Sequence, residues 1–252
     1  MKPLQPCSDA PIAIRAAVDQ GWRAYRRNAW TLSVFTLLAG GLILLVHLAF
    51  RQTASGLVNH AGDPVAAAIL GAFVALLTWW ASVLWLVVGL LRGASSALDG
   101  EPVTLRLLLK PDWQAMGRSL GTLALIALLI KAVLELADAT GALLTLLQPA
   151  LAPVALVAGL AVLIYLAADQ VLCLPITVLG RAMPLAAVQS GRRATDPHWL
   201  QALGLLLVVS LMLLAGVLLL LAGLVVTLPL ALCTLTAAYS QLFGRPGNKL
   251  AR

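Results

Sequence analysis

Charged residues are scarce in this chain, and their scarcity decides its class. Only 11% of the 252 residues are charged, while 61% are hydrophobic, whereas about a quarter of the residues in a soluble domain are charged. A soluble globule of this length cannot hide so much apolar side chain, so lipid must surround part of the chain. The apolar blocks lack the alternation of a membrane β-strand, which predicts an all-α integral membrane protein.

Cysteine is also rare, with three residues in the whole chain: Cys7, Cys173 and Cys233. The last two lie in apolar segments and no CxxC pair exists, so we expect neither a disulfide framework nor a zinc site. Cys7 follows a short polar start with no apolar stretch. We therefore expect neither a lipoprotein signal nor a cleaved secretory signal.

Motifs that carry chemistry are missing from the sequence. His47, His60 and His198 show no metal-ligand spacing, and hydrolase elbows, phosphate-cradling loops and HExxH are absent. The basic segments lack the fold cues of a nucleic-acid reader. The sequence therefore predicts no catalytic residue, no cofactor, no metal and no nucleic-acid partner.

Six apolar segments reach the roughly 20 residues that a helix needs to cross a bilayer. The predicted spans are Trp30–Phe50, Val65–Leu91, Ser119–Ala137, a fourth from Leu151 to a point between Ala168 and Gly180, Trp199–Leu220 and Leu224–Leu242. The last two are nearly continuous in hydropathy. Gly223, Thr227 and Pro229 divide them, because Gly and Pro interrupt helices.

Basic residues lie almost all on one side of this six-span arrangement. Fifteen of the 17 Lys and Arg residues fall before span 1, between spans 2 and 3, between spans 4 and 5, or after span 6. Arg51 lies at the opposite side and Lys131 lies within span 3. Since cytoplasmic loops carry the excess of Lys and Arg, both termini are predicted to be cytoplasmic.

Each pair of spans follows a basic segment that contains Trp or lies beside it. In Pro11–Asn28, the side chains of Ile14, Val18, Trp22 and Tyr25 share one helical face, and charged side chains occupy the other. This pattern predicts three helical hairpins, each preceded by an amphipathic segment at the cytoplasmic interface.

The chain has a net charge of +7, and its basic residues lie beside apolar spans. This position favours anionic lipid headgroups as partners. The candidate headgroup-binding residues are Arg23, Arg26, Arg27, Arg192 and Arg193. The three basic segments also suggest a divergent threefold repeat. The alternative is that membrane proteins in general have basic, Trp-bearing interfaces, which explains most of the same pattern.

The predicted organisation is a single membrane domain, residues 1–252. Its parts are an interfacial amphipathic helix 1–29, spans 1 and 2 in 30–91, a basic interfacial segment 92–118, spans 3 and 4 in 119–180, a basic interfacial segment 181–198, spans 5 and 6 in 199–244, and a cytoplasmic tail 245–252.

Several stretches resemble a known group of proteins. They are GWRAYRRNAW at Gly21–Trp30, a short helix at Ala187–Arg193 followed by a Trp-started span, and a final helix that ends in AAYSQLFG at Ala237–Gly244. The chain resembles a broad group of bacterial inner-membrane proteins that includes YciC-like proteins and the glycerophosphodiester phosphodiesterase membrane-domain-like families. The resemblance implies an inner-membrane location and this fold class, and no reaction, because catalysis in that family belongs to a separate soluble domain.

Ionisable residues inside spans are candidates for function because they are expensive in lipid. Lys131 and Glu135 lie on one face of span 3, where they could pair inside the bundle or reach water near the end of the span. Asp169 in span 4 lies either within the membrane, where it would need a partner, or at the inner interface. Trp79, Trp80 and Trp85 cluster in span 2, where they could line a cavity for an apolar ligand or lipid, or instead pack in the bundle or face lipid.

Two functions follow from these features. The first is a non-catalytic bacterial inner-membrane protein that supports envelope function or the movement of a small molecule or lipid. The second is an accessory or structural subunit that docks a membrane-protein partner through its basic cytoplasmic segments. A homo-oligomer is a further possibility for its assembly.

Overall fold

The computed structural model describes residues 12–60, 64–148, 152–219 and 222–244, which are mainly helical and contain no strand. The helices are α1 (Ile14–Arg27), α2 (Ala29–His60), α3 (Pro64–Asp99), α4 (Leu105–Leu109), α5 (Trp113–Leu147), α6 (Ala152–Asp169), α7 (Cys173–Val178), α8 (Pro184–Thr195), α9 (Trp199–Leu218) and α10 (Leu224–Phe243). A short 3₁₀ turn joins α8 to α9. The predicted tail 245–252 lies outside the described residues.

Six helical stretches in this part of the chain are long and apolar enough to cross a membrane. They are Ala29–Phe50, Ile69–Asp99, Trp113–Leu146, Pro153–Val178, Pro184–Leu218 and Leu224–Phe243. The predicted all-α membrane class and the predicted number of spans are therefore confirmed. Consecutive long helices pack on each other, α2 with α3, α5 with α6 and α9 with α10. The sides of the membrane on which the termini lie stay a prediction.

The fourth stretch is broken where the sequence left its end open. Helix α6 ends at Asp169, and α7 begins at Cys173. Pro175 explains the break, because a proline has no N–H for the carbonyl four residues earlier and its ring clashes with that carbonyl. In the first turn of α7 the missing N–H costs nothing, since first-turn N–H groups have no partner within the helix.

Helix α1 packs along α10. Its buried residues are Ala17, Gly21, Ala24 and Tyr25, so the buried face consists mainly of small residues. Trp22, predicted on the apolar face, is 45% exposed. The small residues allow close approach: a Cβ on Gly21 would lie 2.7 Å from the backbone nitrogen of Thr234. Helix α1 is thus part of the helical bundle.

Helix α10 is the innermost helix, because it contacts α1, α2, α3, α7 and α9. Every residue from 231 to 239 is buried. A helix that is apolar on all sides is expected at the centre of a bundle. Helix α10 is therefore the common packing partner of these five helices.

The short helix α4 inserts a side chain between α2 and α3. Leu108 is fully buried, and it lies against two glycines of α3 one helical turn apart. A Cβ on Gly89 would come 2.9 Å from the Leu108 carbonyl oxygen, and one on Gly93 would come 2.5 Å from its Cδ2. Small residues at this spacing let neighbouring elements approach closely.

Buried apolar side chains are concentrated at one end of the molecule. Among the side chains that the structure describes, the last buried apolar one on α2 is Ala39 and the first on α3 is Leu84. Between these points, and on the remote halves of α5 and α6, large apolar side chains are exposed, including Leu45, Ile69 and Leu146. The basic segments lie at the packed end, and the opposite end presents an apolar surface of the kind that lipid covers.

Candidate functional site

Asp169, the last residue of α6, lies in a buried polar cluster between α6, α7 and α8. Asp169 is 4% exposed, Gln170 is 9% exposed and Thr195 is 1% exposed. Helix α8 can approach this closely because Gly191 faces the α6–α7 turn: a Cβ there would lie 3.0 Å from the Cys173 Sγ. The break before Pro175 thus positions the carboxyl against α8.

Both oxygens of the Asp169 carboxyl accept hydrogen bonds. The Thr195 hydroxyl donates to Oδ1 at 2.6 Å, and the Gln170 side-chain amide donates to Oδ2 at 2.8 Å. The Cys173 thiol donates in turn to Oε1 of Gln170 at 2.7 Å. Buried polar groups are stable only when they are hydrogen-bonded, and this chain of bonds meets that requirement locally.

A second connection, nearer the surface, joins α6 to the 3₁₀ turn that follows α8. The Tyr165 hydroxyl on α6 donates to Oδ1 of Asp196. Arg192 Nε lies 3.4 Å from Oδ2 of Asp196, with side chains 64% and 41% exposed. A surface ion pair of this kind contributes little to stability. Together with the buried Asp169–Thr195 bond, it ties the end of α6 to α8.

A hydroxyl beside a carboxylate has the donor–acceptor geometry of a nucleophile and its base. Thr195 and Asp169 have that geometry, but both side chains are almost fully buried, so a substrate cannot reach them in this conformation. Among the described residues, no group of three or more His, Cys, Asp or Glu is placed to hold a metal ion. The cluster therefore supports a structural role.

Lys131 and Glu135 form an ion pair on the surface of α5. Lys131 Nζ lies 2.6 Å from Glu135 Oε1, and the side chains are 71% and 68% exposed. The pair therefore lies outside the packed interior, and the hydrogen bonds of Asp169 go to Gln170 and Thr195 instead. The structure does not bring the three predicted intramembrane residues together into one site.

The predicted headgroup-binding residues Arg23, Arg26, Arg27, Arg192 and Arg193 are all exposed. Two of them line a depression of about 250 Å³ between α1 and the end of α3. Its lining consists of Gln20, Arg23, Ala24, Arg27, Ala97 and Leu98. Because α1 buries its opposite face on α10, the arginines are held on a fixed backbone and project outward.

The sequence reasoning missed Thr195, Gln170 and Cys173 as partners of Asp169. It also missed the contact between Gly21 and Thr234. A signal was available for part of this: small residues recur at Ala187, Gly191 and Thr195, four positions apart, as on a helix face that packs closely.

Comparisons with known proteins were made by sequence and by structure. No family model, no curated protein and no solved structure matches the chain. The resemblance to YciC-like proteins and the glycerophosphodiester phosphodiesterase membrane-domain-like families therefore stays a prediction. What the six apolar helices establish is an integral membrane protein that crosses the bilayer several times.

Proposed function

We propose that this chain is a non-catalytic accessory subunit of a bacterial inner-membrane complex, which supports the envelope by docking an acidic segment of a partner protein on α1. The observation that carries the proposal is the arginine-lined depression between α1 and α3. It lies on a helix whose other face is fixed to α10, so the site is preformed.

The depression suits a carboxylate-bearing segment. Arg23 and Arg27 are one helical turn apart on α1 and share one wall of the depression with Gln20. A guanidinium group offers a planar fork of donors that matches a carboxylate in bidentate geometry. Holding the arginines on a packed helix lowers the ordering cost of binding.

Movement of a polar solute is less well supported by the structure. The exposed Lys131–Glu135 pair lies on the surface of α5. Asp169 is satisfied by neighbours within a packed junction. Neither arrangement supplies a polar lining through the apolar half of the bundle, so the docking function accounts for more of the observed geometry.

The location and orientation are parts of the proposal. The one-sided distribution of Lys and Arg supports a cytoplasmic position for α1 and for both termini. The resemblance to YciC-like proteins supports the bacterial inner membrane. Under this arrangement the partner approaches from the cytoplasm or from the inner surface of the membrane.

The test is a charge reversal with a matched control. Arg23→Glu together with Arg27→Glu reverses the charge of the depression. The control, Arg106→Glu together with Arg193→Glu, makes the same charge change on exposed arginines of α4 and α8. A photoreactive residue at Gln20 should crosslink in cells to one stoichiometric protein. The crosslink should disappear in the first variant and persist in the second.

Two outcomes contradict the proposal. One is a crosslinker at Gln20 that captures only lipid while the chain purifies alone in mild detergent. The other is an equal loss of the crosslink in both variants, which would indicate a general effect of charge.

A further inference from the structure

A groove of about 370 Å³ opens on the side of the bundle where α2, α3, α4 and α5 meet. Its lining consists of Leu42, Thr78, Ala81, Ser82, Trp85, Leu109, Pro111, Trp113 and Met116. Trp113 is 73% exposed and Leu42 is 49% exposed, so the groove is open to the surroundings. It is separate from the depression on α1 and from the Asp169 cluster.

The polar groups in this groove are already satisfied by the protein. Thr78 donates its hydroxyl proton to the Val74 carbonyl at 2.8 Å, and Ser82 donates to the Thr78 carbonyl at 2.8 Å. The Trp85 indole N–H donates to the Leu109 carbonyl at 3.3 Å. With these donors occupied, the walls offer an occupant mainly apolar contact.

The walls of the groove are also fixed in place. Trp85 packs edge-on against Phe35 of α2, with ring centroids 5.4 Å apart. Met116 is buried at the base of α5, and α4 is held by the insertion of Leu108 between α2 and α3. A preformed apolar groove binds a flexible chain at a lower ordering cost than one that must first assemble.

Two basic residues lie at the rim of the groove. Arg92 follows Trp85 by two turns on α3, and its Nη1 donates to the Lys110 carbonyl at 3.2 Å. Lys110 lies between the lining residues Leu109 and Pro111 and is exposed. Beside a membrane, basic side chains attract anionic headgroups, each by a modest amount.

We propose that this groove binds one anionic phospholipid of the bilayer. Its acyl chain lies along Trp85 and Trp113, and its headgroup phosphate contacts Arg92 and Lys110. The combination of an apolar groove, internally satisfied donors and a basic rim matches the two chemical halves of such a lipid. The inference is independent of the docking function proposed for α1.

The test uses the full chain, purified in mild detergent and exposed to phosphatidylglycerol or phosphatidylcholine, with bound lipid counted by native mass spectrometry. The wild-type chain should retain one phosphatidylglycerol in preference to phosphatidylcholine. Arg92→Gln with Lys110→Gln should lower the apparent affinity roughly 30-fold, since each basic residue contributes a modest, additive attraction. Lys110→Gln alone, which keeps the Arg92 hydrogen bond, should lower it by a smaller factor.

A filling variant tests the acyl-chain half of the site. Ala81→Leu places a larger side chain in the groove and should abolish retention of the lipid. Two matched controls should leave it unchanged. They are Arg106→Gln, on the exposed surface of α4, and Ala158→Leu, in a different groove between α5 and α6.

The proposal is overturned if phosphatidylcholine is retained equally well, or if Ala81→Leu binds lipid like the wild type. It is also overturned if Arg106→Gln reduces binding as much as the rim variants do, because the attraction would then belong to the whole basic end.

Discussion

At the scale of single residues, Asp169 is held by donors that carry no charge. The Thr195 hydroxyl and the Gln170 amide satisfy its two oxygens at 2.6 and 2.8 Å. A buried carboxyl without such bonds would be strongly destabilising. The Thr195 bond crosses from α8 to α6, so it also determines how these helices meet.

The first prediction concerns this bond. Thr195→Val keeps the shape of the side chain and removes the hydroxyl that donates to Asp169. We expect the free energy of unfolding to fall by roughly 1–3 kcal/mol, because one buried carboxyl oxygen loses its donor. The measurement is denaturant unfolding in detergent micelles, followed by circular dichroism.

Thr140→Val is the matched control for this variant. Thr140 is exposed on α5, and its hydroxyl donates within the helix to the Leu136 carbonyl at 2.7 Å. The same chemical change there should leave the free energy of unfolding nearly unchanged. Equal effects of the two substitutions would show that the Asp169–Thr195 bond has no special role.

Sequence reasoning could identify Asp169 but not its surroundings. A carboxyl in an apolar segment is conspicuous, whereas Thr195 is an ordinary residue 26 positions away. The contact depends on the break before Pro175 and on the path of α7 and α8. Those are tertiary features that local patterns do not contain.

At the scale of helices, the contact between α1 and α10 shows how a polar helix joins an apolar bundle. Ala17, Gly21 and Ala24 form its packing face, while its arginines point outward. Small residues permit close contact between backbones, and van der Waals packing then holds the helices together. The arrangement leaves the charged face of α1 available for binding.

The second prediction tests this contact. Gly21→Ala adds a Cβ within 2.8 Å of three Thr234 atoms, two of them backbone. We expect α1 to be displaced and the free energy of unfolding to fall by roughly 1–3 kcal/mol, because a well-packed contact is overfilled. The measurement is again denaturant unfolding, with proteolysis of α1 as a local readout.

Gly117→Ala provides a control with the opposite sign. A Cβ at Gly117 of α5 meets nothing within 4 Å. Alanine is the better helix former, so the free energy of unfolding should rise by roughly 0.5–1 kcal/mol. If Gly21→Ala also stabilises the protein, α1 does not pack as closely on α10 as described.

The positions of the long helices could be predicted from the sequence, because a membrane span requires a minimum length of apolar residues. Of the three residues that mark the predicted division of the last two spans, Gly223 directly precedes the start of α10 at Leu224. Thr227 and Pro229 lie inside that helix. The buried face of α1 was not accessible in the same way. The large apolar residues of α1 predicted one buried face. Helix α10 instead packs closely against the neighbouring small residues, Ala17, Gly21 and Ala24.

At the scale of the whole molecule, the packed core and the basic segments lie at the same end. The remote halves of α2, α3, α5 and α6 expose large apolar side chains. Lipid can cover such surfaces, so these halves of the helices need little packing against other parts of the protein. The asymmetry explains why both proposed binding sites lie near the basic segments.

The third prediction concerns orientation. With both termini in the cytoplasm, alkaline phosphatase fused after Gly62 should be exported and active, whereas a fusion after Gly100 should be inactive. The physical reason is the concentration of Lys and Arg on one side of the chain. Fluorescent protein fusions at the same positions should give the reverse pattern.

The predicted orientation is contradicted if the alkaline phosphatase fusion after Gly62 is inactive and the fluorescent protein fusion at the same position is fluorescent. That result would also place the arginines of α1 outside the cytoplasm. The docking proposal would then require a partner on the opposite side of the membrane.

The central place of α10 has a consequence for synthesis. The ribosome makes this helix after the other nine that the structure describes, yet α1, α2 and α3 pack against it. Early helices must therefore wait in the bilayer without the neighbour that completes their core, and such incomplete states are prone to misassembly. A chain that ends before residue 224 would lack α10, which α1, α2 and α3 all contact. Premature termination there should therefore leave no stable shorter protein.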